Sequence, residues 1–199
     1  MFINLLNPIV SGAISAETSD EEIIALYLES NHSAYFDLLY DRYSRKVFAK
    51  CISLLKSQEQ AEDATQDIFV KLLLKLGNFS GKSKFSTWLY SITYNYSIDL
   101  IRRKKKNPAV LVEDMTAAND AAEEISDSEL LETNVARLKV VLEQIPVEDK
   151  SILMMKYQDD LSIKDICSVL NKSESAIKMK IKRAKEKFMR IHNEKYKSD

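Results

Sequence analysis

Lysine and arginine supply the most distinctive chemistry of this 199-residue chain. Five bases follow one another at Arg102, Arg103, Lys104, Lys105 and Lys106, and residues 172–199 hold ten Lys or Arg against four Asp or Glu. Between them, residues 107–134 hold eight acids and no base. Because the net charge is only −1, this segregation points to a polyanion as partner for some surfaces and not for others. Catalysis finds no comparable foothold. His32 and His192 are isolated, and no Ser/His/Asp grouping, phosphate-cradling glycine loop or metal-ligand spacing occurs. The adjacent carboxylates Glu123 and Glu124 sit where no rigid pocket would shift their pKa values. Cys51 and Cys167 lack metal-ligand spacing and read as reduced, buried thiols. The expectation is a non-enzyme with no catalytic residue, cofactor or metal.

The elements that must position these bases are helices. Three glycines and three prolines leave strands, hairpins and tight loops almost without punctuation, so the fold class is all-α. Residues 1–20 form a mildly apolar, weakly structured leader whose lack of Lys and Arg argues against a signal peptide. No apolar run approaches the roughly 20 residues that span a bilayer, so no membrane insertion is expected and the location is cytoplasmic. Residues 21–106 read as one helical domain, 107–128 as a flexible acidic linker, 129–192 as a second helical domain and 193–199 as a tail.

In the first domain, Thr18 and Ser19 are both plausible caps for the helix EEIIALYLESN. A second helix starts near Ser33, with Phe36, Leu39, Tyr43, Val47, Cys51 and Leu55 near helical spacing. A third opens at Ser57, turns Phe69, Leu72 and Leu73 inward, and stops at Gly77. After the loop NFSGKSKF a fourth begins, with Ser86 as its candidate cap; Trp88 and Tyr96 are placed in the core with Leu89 and Ile92, and the exposure of Tyr90 and Tyr94 stays open. In the second domain Leu131, Val135, Leu138, Leu142 and Ile145 form one helical face.

The stretch LSIKDICSVLNKSESAIKMKIKRAKEKF is two short helices meeting at a polar turn. Ser162 and Asp165 make a capping box with Asp in place of Glu. Asn171 can take the left-handed conformation that ends a helix, and Ser173 can cap the next. Ile163, Ile166, Cys167 and Leu170 face Ile177, Ile181, Ala184 and Phe188, while Lys178, Lys180, Lys182, Arg183 and Lys185 face outward. That is a helix-turn-helix whose second helix fits a major groove; an ordinary helix pair with a solvated lysine face is the competing reading.

The block from Ile145 to Phe188 resembles the C-terminal helix-turn-helix of extracytoplasmic-function (ECF) sigma factors of the sigma-70 family. AYFDLLYDRY, DATQDIFVKL and FSTWLYSITYNYSIDLIRR resemble that family's N-terminal domain in the same order, so the likeness covers about residues 21–190. It implies a subunit that binds core RNA polymerase, recognises the promoter −35 and −10 elements and promotes DNA opening. It implies polymerase contacts at Gln66, Asp67 and Lys71. It also implies −10 contacts at Phe79, Ser80, Lys82, Lys84, Tyr94, Asn95, Arg102 and Arg103. The −35 contacts implied are Ser173, Ser175, Lys178, Met179, Lys180, Lys182 and Arg183. Partners implied are core polymerase and promoter DNA, with an anti-sigma factor as a further candidate. Departures occur at Ser175, Ala176 and Lys178-Met179-Lys180, where lysine cannot reproduce arginine's fork on guanine. Glu174 suits a helix N-terminus yet repels phosphate. A sigma mimic that sequesters an anti-sigma factor, and a one-component DNA-binding regulator, remain as alternatives.

Overall fold

The computed structural model describes residues 18–106 and 127–196, the side chains of 127–134 excepted. The leader up to residue 17, the expected linker up to residue 126 and the tail from 197 therefore lie outside the described residues. Among the described residues every regular element is helical, and the chain divides into two compact units with the boundary between Leu111 and Val112. No described helix is long and apolar enough to cross a membrane.

The first unit comprises α1 (Asp20–Ser30), α2 (Ser33–Leu55), α3 (Gln58–Lys75), a 3-10 turn (Leu76–Asn78) and α4 (Phe85–Lys106). Helix α2 packs against each of the other three. Ile23, Leu39, Cys51, Ala61, Ile68, Leu72, Leu76 and Phe85 are fully buried at their junction. The buried hydroxyls there satisfy themselves locally. Thr65 donates to the Ala61 carbonyl at 2.6 Å, Thr93 to that of Leu89 at 3.0 Å and Ser97 to that of Thr93 at 2.9 Å. Bonds to the preceding turn let α3 and α4 carry polar side chains in the core without an unpaired donor.

Three acids open α1, and each has its own task. Ser19 caps the helix, and Glu22 completes the capping box by accepting the Ser19 backbone N–H at 2.9 Å. Asp20 accepts from Arg42 at 2.9 Å and from the Tyr43 hydroxyl, which fixes α1 on α2. Glu21 reaches across 64 residues to accept the Phe85 N–H at 3.2 Å. A helix start leaves its first N–H groups without partners, so Glu21 satisfies one of them and places a carboxylate at the positive end of α4. The start of α4 is thus one residue ahead of the expected cap Ser86, and its cap comes from another helix.

Other local expectations are corrected. Gly77 sits inside the 3-10 turn and has no left-handed φ; among the described residues the glycine that needs one is Gly81, at φ 67° in the following loop. Leu73 is 41% exposed and does not turn inward with Phe69 and Leu72. The helix is too narrow to bury a third side chain so far round from Ile68.

The second unit comprises α5 (Asp127–Gln144), α6 (Val147–Tyr157), α7 (Ile163–Leu170) and α8 (Glu174–Tyr196). Val141 of α5 and Ile145 just after it are buried with Ile152, Met155, Ile166, Val169, Ile177 and Ala184. Val135 and Leu138, placed on the inward face in the sequence, are exposed. The buried row of α5 runs through Val141, so its apolar periodicity continues past the contact it makes. Lys187 donates to the largely buried Asp149 at 2.5 Å, tying α8 to α6, and Lys150 donates to Glu143 at 2.5 Å.

The Glu21 cap yields a direct test. Glu21→Ala should lower the stability of the first unit by about 0.5–2 kcal/mol, the range of an N-cap loss. Urea unfolding followed by Trp88 fluorescence, the chain's one tryptophan, reads this unit alone, and an unchanged midpoint would show that the cap is idle.

Candidate nucleic-acid interface

On the second unit, α8 stands on a frame that local chemistry builds. The Ser162 hydroxyl accepts the Asp165 N–H at 3.1 Å and donates to its carboxylate at 2.5 Å. Helix α7 ends at Asn171, which takes φ 49° and ψ 54°, and the Asn171 and Lys172 N–H groups close on the Cys167 carbonyl. Asparagine tolerates that left-handed pose because its short amide costs less there than a larger side chain. Ser173 then caps α8 by accepting the Ala176 N–H at 3.4 Å. Ile166 and Val169 on α7 and Ile177 and Ala184 on α8 are buried; Val169 joins the predicted face.

What remains outside is the predicted contact set. Ser173, Ser175, Lys178, Met179, Lys182 and Arg183 are exposed, while Lys180 is half-buried at the edge of the seam. Lys178 is held by Glu174 at 2.5 Å, one turn before it, and each holds the other's charged form: the pair lowers the Glu174 pKa and raises that of Lys178. Lys182 lies 3.9 Å from Glu186. Among the described residues no ion pair engages Arg183 or its neighbours Lys180 and Lys185.

On the first unit, the loop after the 3-10 turn leads into α4. Phe79 is half-buried, with its ring 5.8 Å from Phe85 and 5.3 Å from Trp88, and its N–H donates to the Leu76 carbonyl at 3.0 Å. The loop is therefore pinned by aromatic packing, leaving Ser80, Lys82 and Lys84 exposed. Trp88, Asn95 and Arg102 recur at seven-residue steps, two helical turns each, and share one side of α4. Asn95 and Arg102 are exposed, and Arg102 lies 3.8 Å from Asp99. Arg103 is exposed as well.

Tyr94 is the exception. It is 5% exposed, so its ring is enclosed by protein and offers no face to a base. Trp88 and Tyr96 are half-buried and not wholly in the core.

The outward face of α3 carries Gln66, Asp67 and Lys71, all exposed. Two of them are already engaged: the Tyr96 hydroxyl donates to Asp67, and the Lys71 ammonium lies 4.1 Å from the centre of the Tyr96 ring. Gln66 borders an open groove with Tyr40, Arg45 and Glu62. Between these polar groups stand Val70, Leu73 and Leu74, which are 57%, 41% and 78% exposed. Sequence reasoning missed this apolar ridge and the Tyr96 contacts. A helical wheel would have revealed the ridge, since Val70 and Leu74 lie opposite Ile68 and Leu72. Nothing local signals a contact with Tyr96, 29 residues from Asp67. Groups able to hold a metal ion are absent among the described residues.

Comparison with known proteins gives matches in both units. The family model for sigma-70 region 2 matches residues 39–107 and that for sigma-70 region 4 matches residues 136–188; together they take in more than half of the chain. The ECF RNA polymerase sigma factor SigW of Bacillus subtilis (strain 168) is 29% identical over 168 residues, covering 79% of this chain and 88% of SigW. The ECF RNA polymerase sigma-E factor of Escherichia coli (strain K12) is 27% identical over 181 residues, covering 87% and 94%. Among solved structures, CnrH in complex with the cytosolic domain of CnrY aligns over 87% of this chain and 97% of that one, with a TM-score of 0.61 and 19% identity. The sigma factor RpoE of Bartonella quintana, with the anti-sigma factor NepR, aligns over 82% and 98% with a TM-score of 0.58 and 21% identity.

The Glu174–Lys178 pair generates a prediction for α8. Glu174→Gln should leave stability almost unchanged, because solvent screens a fully exposed pair, while raising affinity for duplex DNA at low salt by removing a like charge from the phosphates. Binding measured by fluorescence anisotropy across a salt series checks it; weaker binding would mean that Glu174 positions Lys178 instead of competing for it.

Proposed function

The chain belongs to the sigma-70 family as an extracytoplasmic-function sigma factor, a transcription initiation factor of RNA polymerase, and from that premise we propose how its units divide the work. The first unit docks on core polymerase through Gln66, Asp67 and Lys71 and the ridge between them. It also captures an unpaired base of the −10 element with Phe79 and Asn95, while Ser80, Lys82, Lys84, Arg102 and Arg103 meet the backbone. The second unit reads the −35 element in the major groove with the free face of α8. The acidic segment at 107–128 tethers the units. Opening needs no catalytic group: holding a base outside the stack draws the melted state out of the duplex equilibrium.

The observation that carries this reading is the exposed face of α8, bearing Lys178, Lys182 and Arg183, on a helix whose other face is buried. A mimic that only sequesters an anti-sigma factor has no use for such a face. A one-component regulator has none for the apolar ridge of α3. CnrH and RpoE are both bound to a partner in their structures, and on that likeness we include an anti-sigma factor among the partners. A protein that serves polymerase in this way works in the cytoplasm and carries no catalysis of its own.

Run-off transcription with core enzyme and genomic fragments tests the whole: promoter-dependent transcripts support it, and core binding without transcripts would favour the mimic. Within it, Arg183→Ala should cost roughly 1–3 kcal/mol of promoter affinity with relaxed preference at one base pair if Arg183 reads a base. If Arg183 touches phosphate, binding weakens evenly and the salt slope falls by about one unit. Lys178→Ala should cost less, because its wild-type contact first gives up Glu174. Asn95→Ala should form closed complexes normally yet open poorly, and a pre-melted bubble should not fully restore it. Permanganate footprinting reads this, and wild-type opening would remove Asn95 from the pocket.

A further inference from the structure

We propose that Tyr96 is a positioning residue for polymerase docking, holding Asp67 and Lys71 in the poses in which they meet the polymerase. The inference rests on the docking face proposed above and adds a residue from a different helix to it.

Three observations converge on Tyr96. Its ring is half-buried and packed against the core of the first unit, so it is a fixed reference point. Its hydroxyl donates to one carboxylate oxygen of Asp67. Its face receives the Lys71 ammonium at 4.1 Å, within the range of a cation–π contact. Asp67 and Lys71 are one turn apart on α3 and Tyr96 is on α4, so one aromatic side chain clasps two opposite charges of the neighbouring helix. Burial and the Asp67 bond push the Tyr96 phenol up to about 12, so it remains a donor throughout the physiological range.

Neither contact uses up the group it holds. A carboxylate offers four lone-pair sites and an ammonium three donors, so Asp67 and Lys71 keep capacity directed at solvent. The clasp removes rotamer freedom before a partner arrives. Immobilising a flexible side chain at an interface otherwise weakens binding by roughly 2- to 12-fold for each one ordered. Tyr96 therefore acts by presenting the charges, and need not touch the polymerase.

The hydroxyl and the ring can be removed separately, and the full-length chain with core polymerase is the system to use. Tyr96→Phe deletes the bond to Asp67 and keeps the ring under Lys71. Tyr96→Leu deletes both. We expect Tyr96→Phe to weaken core binding about 3- to 10-fold and Tyr96→Leu to weaken it further. The pattern of coupling is the sharper readout. Tyr96→Phe should be non-additive with Asp67→Ala and additive with Lys71→Ala, whereas Tyr96→Leu should be non-additive with both. Holoenzyme assembled at saturating concentration should open a promoter at the wild-type rate, which a damaged first unit would not allow. Additivity throughout, or wild-type core affinity in both Tyr96 variants while Asp67→Ala and Lys71→Ala bind weakly, would overturn the proposal and leave the docking face standing. Wild-type affinity in Asp67→Ala and Lys71→Ala would take down that face, and this inference with it.

Discussion

Phe85 is the residue on which the first unit turns. Its N–H is bonded to Glu21 of α1, its ring is fully buried, and that ring meets Tyr43 of α2, Phe79 of the loop and Trp88 of its own helix. Two helices distant in sequence, α1 and α2, and the adjoining loop are thus registered against one residue of α4. The loop bearing Ser80, Lys82 and Lys84 holds its course because Phe79 rests on this cluster, and Asn95 stands where it does because α4 starts where Glu21 fixes it. Removing a buried phenylalanine leaves a cavity that surrounding helices only partly close, and here the cavity would lie under the ring of Phe79, which pins the loop.

The second unit solves a similar problem with backbone chemistry. Its recognition helix must present bases at a set angle, and the angle is determined at Asn171 and Ser173, where one helix stops and the next is capped. The pair Lys187–Asp149 then braces the far part of α8 against α6. Asp149 is largely buried, so the brace loses less to solvent screening than the exposed pairs nearer the N-terminus of α8. Rigidity is placed in the stem of the helix, and exchangeable ion pairs are placed at the end that would meet DNA.

Much of this was legible in the residues. Paucity of glycine and proline gave the all-α class; Ser57, Ser162, Asn171 and Ser173 gave helix limits, because caps are local chemistry that a few neighbours decide. Lys82 and Lys84 of the loop before α4 and most of the α8 set are exposed as expected, for the charge of lysine alone requires it. The misreadings have a common cause. Tyr94, Leu73, Val135 and Leu138 each sit on a helix of clear periodicity, but which part of an apolar or aromatic arc is buried depends on the angle at which another helix crosses it. Periodicity supplies the stripe and not its width. Glu21 and Tyr96 show the same limit for polar groups, since each acts on a helix far along the chain.

The two thiols differ in a way that makes the molecule convenient to observe. Cys51 is fully buried, its Sγ lies 3.8 Å from the Ser97 hydroxyl oxygen, and its thiol is pushed up by burial. An alkylating reagent reaches it only when the first unit opens, so its modification rate under native conditions is a clock for local unfolding there. Cys167 is half-buried within α7, and its carbonyl closes the turn before α8. It can carry a fluorophore without disturbing the first unit. A single unmodified chain thus offers a kinetic gauge in one unit and a labelling handle beside the recognition helix in the other.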